Sequence, residues 1–319
     1  MLILVLLLFV GVEILTESES IMNSVLFSFQ IWYHNIFPSL FPFFVLSELL
    51  IRYGFVEFLS ELCKRFMYVF FRMNGSAAFV FIMSIISGFP SSAKYVRELH
   101  LKGLLSVEEA TKLLMFCHFS NPLFILGTVS LLFLKNREVG FLILICHYIT
   151  NIFIGICVRR YFPTKEKPSK VSLKQALLAM HKKRIATTES FGSVVSKALT
   201  NSINTLLLIL GTVTMFLIVT TILDNNLHLN NYFQSIINGF VEMTQGLKYV
   251  SLLSIPLKFK SIMTVMILSF GGLSVHMQVF SILSDTKIKY LPFLTARLFH
   301  SAISGLLVYF TFDFWTMFL

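Results

Sequence analysis

The stretch SGFPSSAKYV, residues 87–96, interrupts an apolar run that would otherwise continue as a membrane helix. Gly88 and Pro90 break a helix, because glycine lets the backbone turn sharply and proline has no amide hydrogen. Two hydroxyl groups and a cation follow the break, on Ser91, Ser92 and Lys94. Backbone without helical hydrogen bonds occurs at membrane depth only where protein or a wet cavity shields it. The stretch therefore predicts a broken, re-entrant helix that contacts a solute; the alternative is a cytoplasmic loop between two spans.

The composition is that of a helical membrane protein with several spans. Of the 319 residues, 56% are hydrophobic and 13% are charged, and a soluble domain carries about 25% charged residues. Several apolar runs reach the roughly 20 residues that a helix needs to cross a bilayer. We therefore predict an all-α, polytopic membrane protein.

The net charge of +10 does not indicate binding to nucleic acid, because nine Lys and Arg residues fall between Arg159 and Arg184. A basic loop between spans is typical of the cytoplasmic side. The four cysteines, at 63, 117, 146 and 157, have no metal-ligand spacing. No common catalytic or phosphate-binding motif is present either. We expect no enzyme activity, catalytic residue, metal or cofactor.

Apolar runs and polar breaks divide the chain into four parts. Residues 1–24 are expected to hold a first membrane helix with an acidic exit, or an uncleaved targeting segment. Residues 25–158 contain a kinked span, an amphipathic surface helix at 53–73, the broken stretch, a second interrupted span and a plain span. Residues 159–200 form the basic cytoplasmic loop, and residues 201–319 form the remaining part.

Glu48 is the first carboxylate expected at membrane depth. An ionisable group there is a functional hypothesis by default. Arg52 follows four residues later, so we favour a salt bridge between the two near the interface.

The last part of the chain repeats the order of features in the second. An offset of 183 residues places Gly271 on Gly88 and Ser274 on Ser91. Paired interrupted segments in two halves indicate the binding site of a transporter. With the basic loop in the cytoplasm, the broken hairpins enter from opposite sides. This predicts two inverted repeats, each with a broken re-entrant helical hairpin, although four lysines of the second half then lie on the disfavoured side.

The ends of the broken helices predict a site for a small anion, because free amide groups and the helix dipole favour negative charge there. The predicted substrate-binding residues are Ser91, Ser92, Lys94, Asn121, Ser274, His276 and Gln278. A second set is predicted to couple transport to an ion or a proton: Glu242, Gln245, Arg297 and His300.

Each prediction has a structural alternative. Lys94 is close to Arg97, so its side chain can extend to the cytoplasmic interface. His276 and His300 can be packing histidines, and Glu242 can line a loop. The residue types alone leave these alternatives open.

Four segments carry a resemblance to a known family: LFPFFVLSELL at 40–50, SGFPSSAKYV at 87–96, CHFSNPLFILGTV at 117–129 and GGLSVHMQVFSIL at 271–283. Together they resemble the YlbJ (SpoVV) family of sporulation integral membrane proteins of endospore-forming Firmicutes. That group lies within the nucleoside-recognition Gate domain proteins, which are similar in part to concentrative nucleoside transporters.

The resemblance implies a protein of the outer forespore membrane that moves dipicolinic acid, a planar pyridine with two carboxylates, from the mother cell. The expected partners are a small organic anion and the lipid bilayer, and no nucleic acid; protein partners stay open. The alternatives are a nucleoside or other small-anion permease and a non-transporting membrane scaffold needed for spore maturation.

Overall fold

The structure is a computed structural model that describes residues 1–164 and 167–317. These residues form helices and contain no strand, as the composition predicts. Five helical segments are long and apolar enough to cross a membrane, which identifies a multi-pass membrane protein. They are Ser18–Arg52, Arg137–Arg160, Phe191–Leu227, Leu257–Leu283 and Tyr290–Met317.

The described residues form fifteen α-helices, eight before the basic loop and seven within it or after it. The first eight are α1 (Leu2–Thr16), α2 (Ser18–Ile31), α3 (Phe37–Arg52), α4 (Phe55–Phe71), α5 (Ala77–Ser87), α6 (Ser91–Leu101), α7 (Val107–Phe116) and α8 (Arg137–Cys157). The others are α9 (Leu173–Ala186), α10 (Phe191–Leu227), α11 (Asn231–Val241), α12 (Met243–Leu252), α13 (Leu257–Phe270), α14 (Gly272–Leu283) and α15 (Tyr290–Met317).

Two π-helical segments, Trp32–Ile36 and Phe124–Leu134, complete the architecture. The first joins α2 to α3 without a break, and there the amide of Phe37 donates to the carbonyl of Trp32, five residues back. Pro38, the next residue, cannot donate to a carbonyl of the preceding turn, and a widened turn commonly accommodates such a gap. The predicted kinked span at 25–51 is therefore part of one longer helical segment.

The basic loop lies at the ends of α3 and α8, on one side of the molecule that we call the loop face. Arg52 at the end of α3 pairs with Glu189, at 3.6 Å between Nη1 and Oε1. Arg159, just after α8, accepts a hydrogen bond at its carbonyl from Lys112 Nζ at 2.8 Å. Since α10 starts beside this loop, its other end at Leu227 lies on the opposite face.

The described part of the chain has four helix breaks: between α5 and α6, after α7, between α11 and α12, and between α13 and α14. The first, second and fourth fall where the sequence predicts interruptions, and the break between α11 and α12 was not predicted. The breaks are in contact. A Cβ atom placed on Gly88 would lie 2.4 Å from the amide nitrogen of Asn121, and one on Gly272 would lie 2.9 Å from that of Met243. A Cβ on Gly271 would lie 3.9 Å from His118 Nε2. The interrupted segments thus meet inside the helical bundle.

Two of the broken pairs consist of helices that pack on one another. Asn74, just before α5, donates to the carbonyl of Leu104, just after α6, at 3.2 Å. In the other pair, a Cβ on Gly246 of α12 would lie 2.1 Å from the Cα of Gly239 of α11. Only glycine permits the backbones to approach this closely.

Candidate functional site

A buried cavity lies where the four breaks meet, and we call it the central cavity. Its walls are Ile36, Ser39, Leu40, Phe89, Pro90, Ser120, Asn121, Phe124, Ile209, Val213, Glu242, Met243, Thr244, Val275 and Gln278. Its volume is only about 50 Å³, which is room for a few water molecules. The walls therefore nearly touch, and a ligand larger than water needs them to separate.

Asn121 builds one wall of the central cavity by capping the helix that follows the α7 break. Its Oδ1 accepts from the amides of Leu123 at 2.7 Å and Phe124 at 3.3 Å. Its Nδ2 donates to the carbonyl of Ser87 at 3.2 Å, which α5 leaves free at its end. One side chain thus satisfies backbone groups at two adjoining breaks.

α8 supplies partners for the backbone that the α7 break exposes. His147 Nε2 accepts from the amide of Ser120 at 2.9 Å, and Tyr148 donates to the carbonyl of Ser120 at 2.9 Å. Asn151 donates to the carbonyl of His118 at 2.9 Å. Residues one helical turn apart share a face, so one side of α8 meets the requirement that backbone at membrane depth be satisfied.

Arg297 of α15 is fully buried against the same break. Its Nη2 donates to the carbonyl of Met115 at 2.6 Å and to Asn151 Oδ1 at 2.9 Å, and its Nη1 donates to the carbonyl of His118 at 3.1 Å. His300 Nδ1 lies 2.8 Å from Nη1. Arg297 therefore binds the carbonyl end of α7, where the helix dipole favours a cation, and it is not a lining residue of the central cavity.

Glu242 brings a carboxylate into the central cavity. It precedes α12, and its Oε2 accepts from the amide of Gln245 at 2.8 Å. Its Oε1 accepts from the hydroxyls of Thr244 at 3.2 Å and Ser274 at 3.4 Å. The side chain is 1% exposed, and no described Lys, Arg or His lies within 4.0 Å of it. A buried carboxylate without a cation is an electrostatically costly arrangement.

Two predicted residues of α14 have different positions. Gln278 lines the central cavity and is 2% exposed. His276 instead bonds to Tyr290, at 2.7 Å between Nδ1 and the hydroxyl, and to the carbonyl of Phe270 at 3.0 Å. His276 thereby ties α14 to α15 and satisfies a carbonyl at the α13 break.

Ser91 and Ser92 stabilise the turn between α5 and α6. The Ser91 hydroxyl bonds to the carbonyl of Gly88 and lies 2.8 Å from the hydroxyl of Ser87. The Ser92 hydroxyl lies 3.3 Å from His118 Nδ1. Both serines are fully buried, and neither is among the lining residues of the central cavity.

Lys94 lies in a second, more open cavity of about 530 Å³, which we call the vestibule. Its walls are Glu48, Arg52, Lys94, Arg97, Glu98, Asn201, Asn204, Thr205, Ser281, Ile282, Ser284 and Asp285. Lys94 Nζ is 2.8 Å from Glu48 Oε1, although the two are not aligned as a hydrogen bond. The predicted Glu48–Arg52 pair is wrong, because Glu48 faces α6 and Arg52 pairs with Glu189 of the loop.

Of the predicted site residues, Asn121, Glu242 and Gln278 line the central cavity and Lys94 lines the vestibule. Sequence reasoning did not identify Ser39, Ser120 and Thr244, whose hydroxyl-bearing side chains also line the central cavity. It also treated α8 as a plain span. The signal there was the spacing of His147 and Asn151, one turn apart in an apolar run.

Comparisons with known proteins identify relatives of the chain by sequence. A family model described as nucleoside recognition (Gate) matches residues 33–136, which include α5, α6, α7 and the break at Asn121. No solved structure is significantly similar to the chain.

The sporulation integral membrane protein YlbJ of Bacillus subtilis (strain 168) is 33% identical to the chain over 326 aligned positions. The alignment covers 94% of this chain and 80% of that protein. The similarity thus extends over both sets of broken helices and the basic loop between them. The chain belongs to the family of the sporulation integral membrane protein YlbJ.

Proposed function

We propose that the protein is a transporter that moves a small organic acid, dipicolinic acid, from the mother cell across the outer forespore membrane. The observation that carries the proposal is the convergence of four helix breaks on one cavity inside a multi-pass membrane protein, with Asn121, Glu242 and Gln278 among its walls. Discontinuous helices meeting at mid-membrane are the usual construction of a transporter's binding site. The membership in the YlbJ family supports the sporulation setting.

The proposed architecture is a pair of inverted repeats, residues 25–158 and 201–319, separated by the basic cytoplasmic loop 159–200; residues 1–24 stand outside them. In each repeat one helix pair is a re-entrant hairpin, α5/α6 from the loop face and α11/α12 from the opposite face. The contact between Asn74 and Leu104 supports the first hairpin. In this pairing the turn between α5 and α6 corresponds to the break between α11 and α12 at Glu242. It does not correspond to Gly271, with which the offset of 183 residues aligns Gly88.

The chemistry of the central cavity suits a planar acid. Phe89 and Phe124 provide aromatic walls, and Asn121 and Gln278 provide amide groups. Glu242, however, repels a carboxylate unless it carries a proton. The cavity therefore favours an organic acid that binds together with a proton. Glu242 and Gln245 form the coupling site. Arg297 and His300 stabilise the α7 break from outside the central cavity.

The vestibule is the proposed entrance from the loop face. Lys94 and Arg97 lie one turn apart on α6, each paired with a carboxylate. An incoming acid can exchange with Glu48 or Asp285 on these cations. Ser91, Ser92, Ser274 and His276 keep the breaks in place around the central cavity.

A nucleoside permease is the second candidate. The family model described as nucleoside recognition matches residues 33–136, and an ionised Glu242 suits the hydroxyl groups of a sugar as an acceptor. A scaffold without transport activity is the third candidate, and it gives the central cavity no role.

Uptake into proteoliposomes distinguishes the three candidates. Purified protein should give saturable uptake of radiolabelled dipicolinate, with inhibition by unlabelled dipicolinate and none by uridine or adenosine. Inhibition by nucleosides would favour the permease. The scaffold would be favoured if neither compound were taken up and spore maturation still required the protein. A fluorescent fusion in sporulating cells tests the location in the outer forespore membrane.

A further inference from the structure

Asp224 is a second carboxylate without a cation, near the end of α10 on the opposite face. Its Oδ2 accepts from Asn238 Nδ2 at 3.1 Å, from Gln245 Nε2 at 3.3 Å and from the Tyr249 hydroxyl at 3.3 Å. No described Lys, Arg or His lies within 4.0 Å of it. The neutral groups that donate to Asp224 lie on both α11 and α12. The Asp224 carboxylate therefore connects the two helices on either side of Glu242.

Gln245 connects the two unpaired carboxylates. Its backbone amide donates to Glu242 at 2.8 Å, and its side-chain amide donates to Asp224 at 3.3 Å. The Thr220 hydroxyl donates to Gln245 Oε1 at 2.8 Å. Asp224 is half-buried and Glu242 is 1% exposed, so the two acids lie at different depths along one chain of contacts.

The groups around both acids indicate a proton rather than a metal ion. Metal ions require several oxygen or nitrogen ligands with free lone pairs. Both carboxylates are instead surrounded by N–H and O–H donors, and no described cluster of His, Cys, Asp and Glu has metal-binding geometry. Asn238 Oδ1 is fully buried with no hydrogen-bond partner, which leaves an acceptor beside Asp224 for an added O–H.

We propose that Asp224 takes up a proton from the opposite face and passes it to Glu242, which binds it while an organic acid occupies the central cavity. The O–H bond of protonated Asp224 breaks as the O–H bond of Glu242 forms, so negative charge moves from the cavity towards the surface. Hydroxyl groups can receive one proton and release another, and each carboxylate has one beside it, Tyr249 at Asp224 and Thr244 at Glu242. The inference rests on the proposed transport function.

Other ionisable groups on helices that contact α10 have their own partners. Glu13 of α1 accepts from Asn226 at 3.2 Å. Lys248 of α12 lies over the ring of Phe27, 4.2 Å from its centre. On α14, His276 is bonded to Tyr290 and Phe270. Tyr249 is therefore the titratable side chain that contacts Asp224 directly.

The test compares two modes of dipicolinate transport in proteoliposomes. One is accumulation driven by a pH gradient, with proton movement followed by a dye in the lumen. The other is exchange of labelled for unlabelled dipicolinate at equal pH, which needs no net proton uptake. In D224N, accumulation and proton movement should fall at least 10-fold while exchange stays within 2-fold. Control variant D313N removes an exposed carboxylate of α15 that pairs with Lys258 and should retain both modes.

Accumulation by D224N at the wild-type rate, with wild-type proton movement, would overturn the proposal. Loss of both modes in D224N, with an unchanged melting temperature and a monodisperse elution profile, would also overturn it, because Asp224 would then act in substrate movement itself. If D224N is unstable, D224E keeps the acid and should restore gradient-driven accumulation. Wild-type protein without either mode would refute the transport function itself, a separate result.

Discussion

Lys94 Nζ on α6 lies 2.8 Å from Glu48 Oε1 on α3, and this ion pair lies in the wall of the vestibule. Glu48 is 4% exposed, and its other oxygen accepts from Asn201 Nδ2 at 3.4 Å. The Lys94 ammonium also lies 5.2 Å from the ring centre of Phe44. The pair therefore connects three helices, α3, α6 and α10.

Removing one partner of this pair should cost more than removing both. In K94Q, Glu48 stays buried without its cation, and breaking a buried pair typically costs about 3–5 kcal/mol. We expect a lower melting temperature in detergent and a loss of spore dipicolinate for K94Q and K94A. In the double variant E48Q/K94Q the melting temperature should return towards the wild-type value.

The matched control is K102Q, which removes the lysine directly after α6 that pairs with Glu98 four residues earlier. Such helix-surface pairs contribute only about 0.3–0.5 kcal/mol, so the melting temperature should hardly change. A K94Q protein with wild-type stability and spores with normal dipicolinate would show that the charge of Lys94 is dispensable.

Gly88 should be sensitive to substitution by alanine because of its contact with Asn121. Gly88 and Gly103 both have positive φ values, +75° and +71°, so alanine strains the backbone at both positions. Only at Gly88 would the added Cβ meet backbone, 2.4 Å from the amide nitrogen of Asn121. G88A should lose folded protein on size-exclusion chromatography, and G103A should remain folded. Equal behaviour of the two variants would contradict a role for this contact.

The positions of three of the four helix breaks in the described chain could be predicted from sequence, since glycine, proline and polar residues in apolar runs act locally. Gly88, Asn121 and Gly271 are examples. The sequence could not show which breaks of the two parts of the chain belong to similar helix pairs, because that depends on which helices pack together. The partner of Glu48 shows the same limit: Arg52 is its neighbour along the helix, but Lys94 reaches it from another helix.

The function of α8 was also beyond the sequence. His147 and Asn151 are ordinary polar residues in an apolar span until the carbonyl and amide groups of the α7 break are placed beside them. The spacing of His147 and Asn151 marks one face of α8 in the sequence, but it does not show which backbone groups that face binds.

The ion pair between Arg97 and Asp285 should make stability depend weakly on pH. The Arg97 guanidinium donates to Asp285, with Nε 2.8 Å from Oδ1, and lowers the pKa of that carboxyl below its usual range. A carboxyl with a depressed pKa stabilises the fold above its unfolded-state pKa and loses this effect as pH falls through the folded-state value. Both side chains are exposed, so the effect should be small and weaker in high salt.

Melting temperatures at pH 7 and pH 3 test this expectation. D285N should lie slightly below the wild type at pH 7 and approach it at pH 3, which is below the ordinary pKa of the carboxyl. A difference that grows towards acid pH would have the wrong sign for this pair.

Arg297 should resist replacement by lysine, even though lysine keeps the charge. The guanidinium donates at once to the carbonyls of Met115 and His118 and to Asn151 Oδ1, and a single ammonium cannot reproduce that planar arrangement. Hydrogen bonds to charged groups contribute about 1.5–3 kcal/mol each, so loss of one or two should lower the melting temperature of R297K by several degrees. Control variant R137K changes an exposed arginine whose contact is the ring of Phe141, at 5.9 Å, and should melt like the wild type. If R297K and R137K had the same melting temperature, the break after α7 would not depend on this arginine. A direct contact of Arg297 with the transported acid would then be the better explanation for its burial.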